Sequence, residues 1–171
     1  MKTLKRHLWV GAIALGLLFV GLGALFVVIG LDAKDMIQTA LADENVTTSA
    51  DAVDFGVPAG VLITEGKTAE AQAEVIKMHS IDNYGRYADM ARDDPNRAEY
   101  IKGLALRNSL NIAVMGFGVA NLAIGTGAVI ILMGAGTLAF LAPVLYLATA
   151  EEEKEHAAKA GTAMAPLAPT G

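Results

Sequence analysis

The side chains best suited to metal chemistry are three carboxylates and a histidine that lie close together: Glu70, Glu74, His79 and Asp82. Carboxylate and imidazole groups bind divalent metals when several of them face one point. On a helix, the five-residue step from Glu74 to His79 turns the two side chains about 140° apart. We therefore interpret this group as a solvated helix surface, and a metal site here would need ligands from elsewhere in the chain.

Other reactive groups are scarce. The chain has no cysteine, which excludes disulfides, thiolate metal sites and iron–sulfur clusters. Its three histidines, His7, His79 and His156, all lie outside the apolar runs, so no axial ligand is available there for a haem. A net charge of −5 without a basic stripe argues against nucleic acid as a partner. We predict no catalytic residue, no metal, no cofactor and no enzymatic activity.

Two long uncharged runs dominate the chain. Leu8–Leu31 contains twenty-four residues without a charge, a length of about 36 Å as a helix, which crosses a hydrocarbon core of about 30 Å. The run is longer than the apolar part of a signal peptide, so we expect it to be retained. The second run extends from Asn108 to Ala150. This pattern predicts an all-α membrane protein with two transmembrane helices and a small, mainly helical extracytoplasmic cap between them.

The second run is too long for a single crossing. A hairpin turning at 134–136 would give three spans, but its last arm would be too short to cross, and Pro143 weakens it. We expect two spans and the following segments: a cytoplasmic N-terminus (1–7), transmembrane helix 1 (8–31), the cap (32–109), transmembrane helix 2 (110–134), an apolar interfacial or protein-covered helix (135–150) and a cytoplasmic tail (151–171).

Orientation follows from the basic residues at the N-terminus. Lys2, Lys5 and Arg6 favour a cytoplasmic N-terminus, although basic residues near the second run oppose them. We expect a multi-pass protein of the plasma membrane, in contact with the lipid bilayer and with other integral membrane subunits.

Small residues at helical spacing mark the faces through which membrane helices approach one another. We predict that such faces, together with one mid-span amide, pack against a helix of this chain and against a partner. The alternative is that glycine is simply frequent in membrane helices. The predicted interface residues are Ala12, Gly16, Gly116, Ala120, Asn121, Ala123 and Gly127.

The polar segment between the runs contains further helix signals. The first helix is predicted to continue to about Ala42, and a helix from Ala69 to about Asp82 is predicted to follow an N-cap at Thr68 and to end before Gly85. Asp94 and Pro95 indicate the start of another helix. Val61–Ile63 reads as a short extended piece. We expect one apolar face of the middle helix to pack on the first helix: Ala69, Ala73 and Ile76 against Met36, Ile37 and Leu41.

Several short motifs carry a resemblance. They are 42–47 (ADENVT), 71–79 (AQAEVIKMH), 87–89 (YAD), 94–97 (DPNR), 104–110 (LALRNSL) and 117–120 (FGVA). Over roughly residues 5–134, the chain resembles small actinobacterial two-span membrane proteins that are often labelled as the small chain of an aromatic ring-opening dioxygenase. The resemblance implies the two-span topology and not an activity.

These observations favour a non-catalytic accessory or assembly subunit of a larger integral membrane complex. The tail from Gly161, which is rich in small residues and proline, is expected to be held by a partner. The alternative is a free-standing envelope protein whose ectodomain binds a ligand or an envelope partner.

Overall fold

Four α-helices make up most of the structure, a computed structural model that describes residues 7–163. They are α1 (Leu8–Asp43), α2 (Gly66–Tyr84), α3 (Arg97–Gly136) and α4 (Ala142–Ala163). Within the described residues there is no β-strand, so the predicted all-helical class is confirmed. The basic N-terminal residues Lys2, Lys5 and Arg6, and the tail beyond Ala163, lie outside the described residues, and so do the predictions that rest on them.

The chain divides into two compact units. The terminal unit comprises Met1–Leu25 and Thr126–Gly171, and the central unit comprises Phe26–Gly125. Helices α1 and α3 contribute to both. Two helical stretches, Leu8–Asp43 and Arg97–His156, are long and apolar enough to cross a membrane.

Helix α3 passes through 134–136 without turning, so the hairpin alternative is not observed. A π-helix at Thr137–Leu141 joins α3 to α4, and the N–H of Ala142 bonds to the carbonyl oxygen of Thr137, five residues back. Pro143 explains this local widening, because it has no N–H to donate and its ring crowds the carbonyl four residues before it.

The π-helix also changes which residues face inward in the terminal unit. Gly134 and Ala142 are buried, whereas Leu141 is 47% exposed. In an uninterrupted α-helix, residues seven positions apart lie on the same face, so Leu141 would share the inner face with Gly134. The extra residue in the π turn therefore brings alanine rather than leucine to the inner face.

In the central unit, α2 packs on α1 and α3. Its buried Ala69 and Ala73 join a core with Ile37 and Leu41 of α1 at its edge, and Ile76 packs against the same core. The predicted packing is confirmed for these residues. It was wrong for Met36, which is 68% exposed, because Met36 lies about 100° around α1 from Ile37. The other members of this core are Ile63, from the loop before α2, and Leu110, Ala113 and Phe117 of α3.

Local hydrogen bonds and one glycine explain where α2 begins and ends and where α3 begins. The N-cap of α2 is Glu65, not Thr68; the Thr68 hydroxyl lies one turn inside the helix and donates to the Glu65 carbonyl oxygen at 2.9 Å. Gly85, with φ 74°, ends α2 after Tyr84. Helix α3 begins at Arg97, two residues later than Pro95, and the Asp94 carboxylate accepts the N–H of Asn96 at 2.8 Å.

The loop before α2 contains the predicted extended piece. Leu62 forms an isolated antiparallel bridge with Thr47. The buried Thr48 hydroxyl donates to the Pro58 carbonyl oxygen at 2.7 Å. A 3-10 helix, Ala50–Phe55, packs on α2 through the cluster of Ala52, Val57, Ala71 and Val75.

Candidate functional site: the helix-packing interface

The predicted interface residues are distributed over two kinds of surface. Ala12, Gly16, Ala120 and Gly127 are buried, and Gly116 and Ala123 are partly buried. Asn121 is exposed, so within this chain its amide does not face a helix.

In the terminal unit, glycines of α1 meet glycines of α3 directly. A Cβ atom added to Gly16 would lie 3.1 Å from the carbonyl oxygen of Gly134, and one added to Gly134 would lie 2.7 Å from the carbonyl oxygen of Gly16. A Cβ on Gly23 would lie 2.6 Å from the carbonyl oxygen of Gly127. Real Cβ atoms do not approach backbone within 3.0 Å, so Gly23 and Gly134 require glycine, and a Cβ on Gly16 would also lie 2.6 Å from the side chain of Leu138. We call Gly16, Gly23, Gly127 and Gly134 the terminal seam.

The same kind of packing occurs in the central unit. A Cβ on Gly30 would lie 2.8 Å from the carbonyl oxygen of Ala120, and one on Gly116 would lie 2.7 Å from Cδ1 of Ile37. In both units, residue numbers rise along α1 as they fall along α3, so the two helices are antiparallel. Thus the small-residue faces serve the chain's own helix pair.

Gly23, Gly30 and Gly134 were missed as interface residues, although the sequence contained a signal for them. Gly16, Gly23 and Gly30 are spaced by seven residues on α1. On α3, the series Ala113, Ala120, Gly127, Gly134 has the same spacing. A seven-residue repeat keeps one stripe of a helix facing its partner over several turns, whereas the pairs spaced by four covered only single turns.

The outer faces of both long helices are apolar and exposed. Only 17% of the most apolar window of the first candidate span is buried, and 11% of that of the second. This is the reverse of a core helix in a soluble domain, and soluble monomers rarely expose large contiguous apolar faces. In α1 of the terminal unit the large exposed residues are Leu8, Val10, Leu15, Leu17, Leu18, Leu22 and Leu25.

Charged residues limit the apolar surface of the central unit. Asp32 and Asp35 of α1 are exposed. Since Gly30 faces Ala120 and Ile37 contacts Gly116, these carboxylates lie about level with residues 115–118 of α3. Yet Met115 at this level is 72% exposed, and Ile112 is 70% exposed. An apolar stripe of α3 therefore continues beside the charged part of α1.

The carboxylates and histidine considered for metal binding do not converge. His79 Nε2 lies 2.8 Å from Asp51 Oδ2 of the 3-10 helix, and Glu74 pairs with Lys77 at 2.7 Å. Among the described residues there is no group of three or more potential metal ligands. On α3, the hydrogen bond and charge of Glu99 raise the pKa of the exposed Lys102.

An aromatic pair lies at the beginning of α1 in the terminal unit. The rings of Trp9 and Tyr146 meet edge to face, with centroids 5.6 Å apart and planes at 81°. Beside them is a cavity of about 280 Å³ that is also lined by His7, Thr149 and Glu153.

Comparison with known proteins gives no relative. No family model, curated protein or solved structure matches the chain. The resemblance to small actinobacterial two-span membrane proteins therefore stays a prediction.

Proposed function

We propose that the chain is an integral membrane protein with two spans, and that it acts as a non-catalytic accessory subunit of a membrane complex. The exposed apolar faces of α1 and α3 support the first part, because lipid is the solvent in which such faces are stable. Direct backbone packing through glycines is also the mode by which membrane helices associate.

Two markers support a position for the bilayer. Trp9 and Tyr146 form a pair of the kind enriched at membrane–water interfaces. Asp32 is the first charged residue after the apolar run. The α1 segment between Trp9 and Asp32 is about 35 Å long, close to the thickness of a hydrocarbon core.

The antiparallel alignment of α1 with α3 supports a revised second span. In their respective units, α1 residues 16–30 lie opposite α3 residues 120–134, and the same alignment extended to α1 residues 8–31 gives about 119–142. We propose this range in place of 110–134. The physical reason is that Leu110, Ala113 and Phe117 belong to the protein core of the central unit, so protein rather than lipid covers them.

The observation that carries the subunit role is the apolar stripe of Ile112 and Met115. With the bilayer ending near Asp32, these two side chains lie beyond the hydrocarbon core. An apolar surface there is stabilised by contact with another protein. A partner helix that runs alongside α3 would cover it.

Co-purification tests this role. A tagged chain extracted in mild detergent should carry stoichiometric partners, and the double substitution Ile112→Ser, Met115→Ser should lose them. Met36→Ser is the matched control, because Met36 is equally exposed in the same unit but lies on α1. If the wild-type chain migrates alone on native electrophoresis, the subunit role is excluded and the free-standing envelope protein is favoured.

A further inference from the structure

The cavity beside Trp9 combines three kinds of group that recognise organic cations. Two aromatic residues, Trp9 and Tyr146, line the cavity, and the face of such a ring attracts a positive charge. Glu153 provides a carboxylate, and Thr149 a hydroxyl. The volume of about 280 Å³ is sufficient for a small alkylammonium group.

The hydrogen bonds of Thr149 favour a donor as ligand. Its hydroxyl already donates to the backbone, with oxygen distances of 2.8 Å to Tyr146 and 3.0 Å to Leu145. The remaining capacity of this oxygen is to accept. Both His7 and Glu153 also have interactions within the chain, but a carboxylate can accept several hydrogen bonds at once, so a ligand can share it.

We propose that this cavity binds an organic ammonium group, held by the carboxylate of Glu153 and the rings of Trp9 and Tyr146. Two sources present this chemistry: the headgroup of an ethanolamine phospholipid, and a free small amine. The lipid source rests on the proposed membrane location, because that location brings the cavity to the level of the headgroups. The free amine does not depend on it.

Trp9 is the chain's only tryptophan, so its fluorescence reports on the cavity directly. We expect choline, added to the purified full-length chain in detergent, to change the emission of Trp9 with saturation. The uncharged isostere 3,3-dimethyl-1-butanol should leave it unchanged. Glu153→Gln should weaken choline binding by about tenfold or more, because it removes the negative charge that attracts the trimethylammonium group.

Glu151→Gln is the matched control, since Glu151 is an exposed carboxylate of the same helix that does not line the cavity. It should bind choline like the wild type. An absence of saturation, an equal response to the isostere, or equal binding by Glu153→Gln would each overturn the proposal.

Lipid nanodiscs distinguish the two sources. If ethanolamine phospholipid fills the cavity, choline should alter Trp9 emission in phosphatidylglycerol discs but not in phosphatidylethanolamine discs. Equal choline titrations in both would identify a free amine as the ligand. The detergent titration is independent of the bilayer, so its outcome is separate from that of the topology.

Discussion

Three glycines of α1 occupy helical positions where glycine is less stable than alanine by about 0.5–1 kcal/mol. The structure supplies a reason for Gly16, Gly23 and Gly30, because a Cβ atom at each would lie within 3.1 Å of the α3 backbone. Gly11 and Gly21 on the same helix have no atom within 4 Å of such a Cβ. Neighbouring glycines of one helix thus have different roles.

Gly23→Ala should destabilise the terminal unit by about 1–3 kcal/mol, the usual cost of overpacking. Its new Cβ would lie 2.6 Å from the backbone oxygen of Gly127, which cannot move away as a flexible side chain could. Thermal unfolding in detergent, followed by circular dichroism, measures the loss. Gly21→Ala is the control and should be neutral or slightly stabilising; an equal loss in both variants would refute close packing at Gly23.

The close contacts between α1 and α3 determine at which residues a substitution can test association with a partner protein. Replacing Gly116 by leucine would drive a side chain into Ile37, so the chain's own helix pair would be disturbed first. Ile112 and Met115 point away from this contact and are exposed. They are therefore the better positions for testing association with another protein.

At the scale of the elements, the sequence was informative where one physical effect dominated. Uncharged runs predicted the two long helices, and Gly85 predicted the end of α2. The prediction was wrong where two effects competed. Thr68 is a good N-cap residue, but Glu65 occupies the cap and Thr68 bonds back to it from inside the first turn.

The interface was only partly predictable for a similar reason. Pairs of small residues spaced by four identified Ala12, Gly16, Ala120 and Gly127, which are buried. The pairing of the two helices determines which of the many glycines face inward, and this depends on contacts between residues of α1 and α3 that are 79 to 118 positions apart. Asn121 illustrates the limit: its polarity suggested an inward position, but it is exposed.

A deletion tests whether the extra residue of the π-helix is what brings Ala142, rather than Leu141, to the inner face. In a Pro143→Ala background, which restores the missing N–H, deletion of Phe140 should convert the π turn to α-helix and keep Ala142 on the inner face. We expect its thermal stability to remain close to that of the background. Deletion of Leu132, similarly exposed at 70% against 74% for Phe140, should instead place Ala135 against Gly16 and destabilise the unit. Equal effects of the two deletions would contradict the role of the π turn.

At the scale of the whole molecule, the proposed two-span topology requires the loop before α2 and helix α4 to lie on opposite sides of the bilayer. Ala59 and Glu152 are exposed positions in the loop before α2 and in α4. Thr48, in the same loop, is 3% exposed and unsuitable for labelling. In this cysteine-free chain, Ala59→Cys should react with an impermeant maleimide on intact cells, and Glu152→Cys only after permeabilisation. Reaction of both on intact cells would exclude the proposed topology.

The repetition of the glycines has a consequence for specificity. Every terminal seam position carries the same residue, so a slip of one helix past the other by seven residues, about 10.5 Å, would still set one glycine against another, Gly16 against Gly127 or Gly23 against Gly134. The seam alone therefore permits more than one alignment. The correct one must be selected by contacts that do not repeat: Trp9 with Tyr146 in the terminal unit, and the core around Phe117 in the central unit. The glycines make close approach possible, and the large residues outside the seam determine where along the helices it occurs.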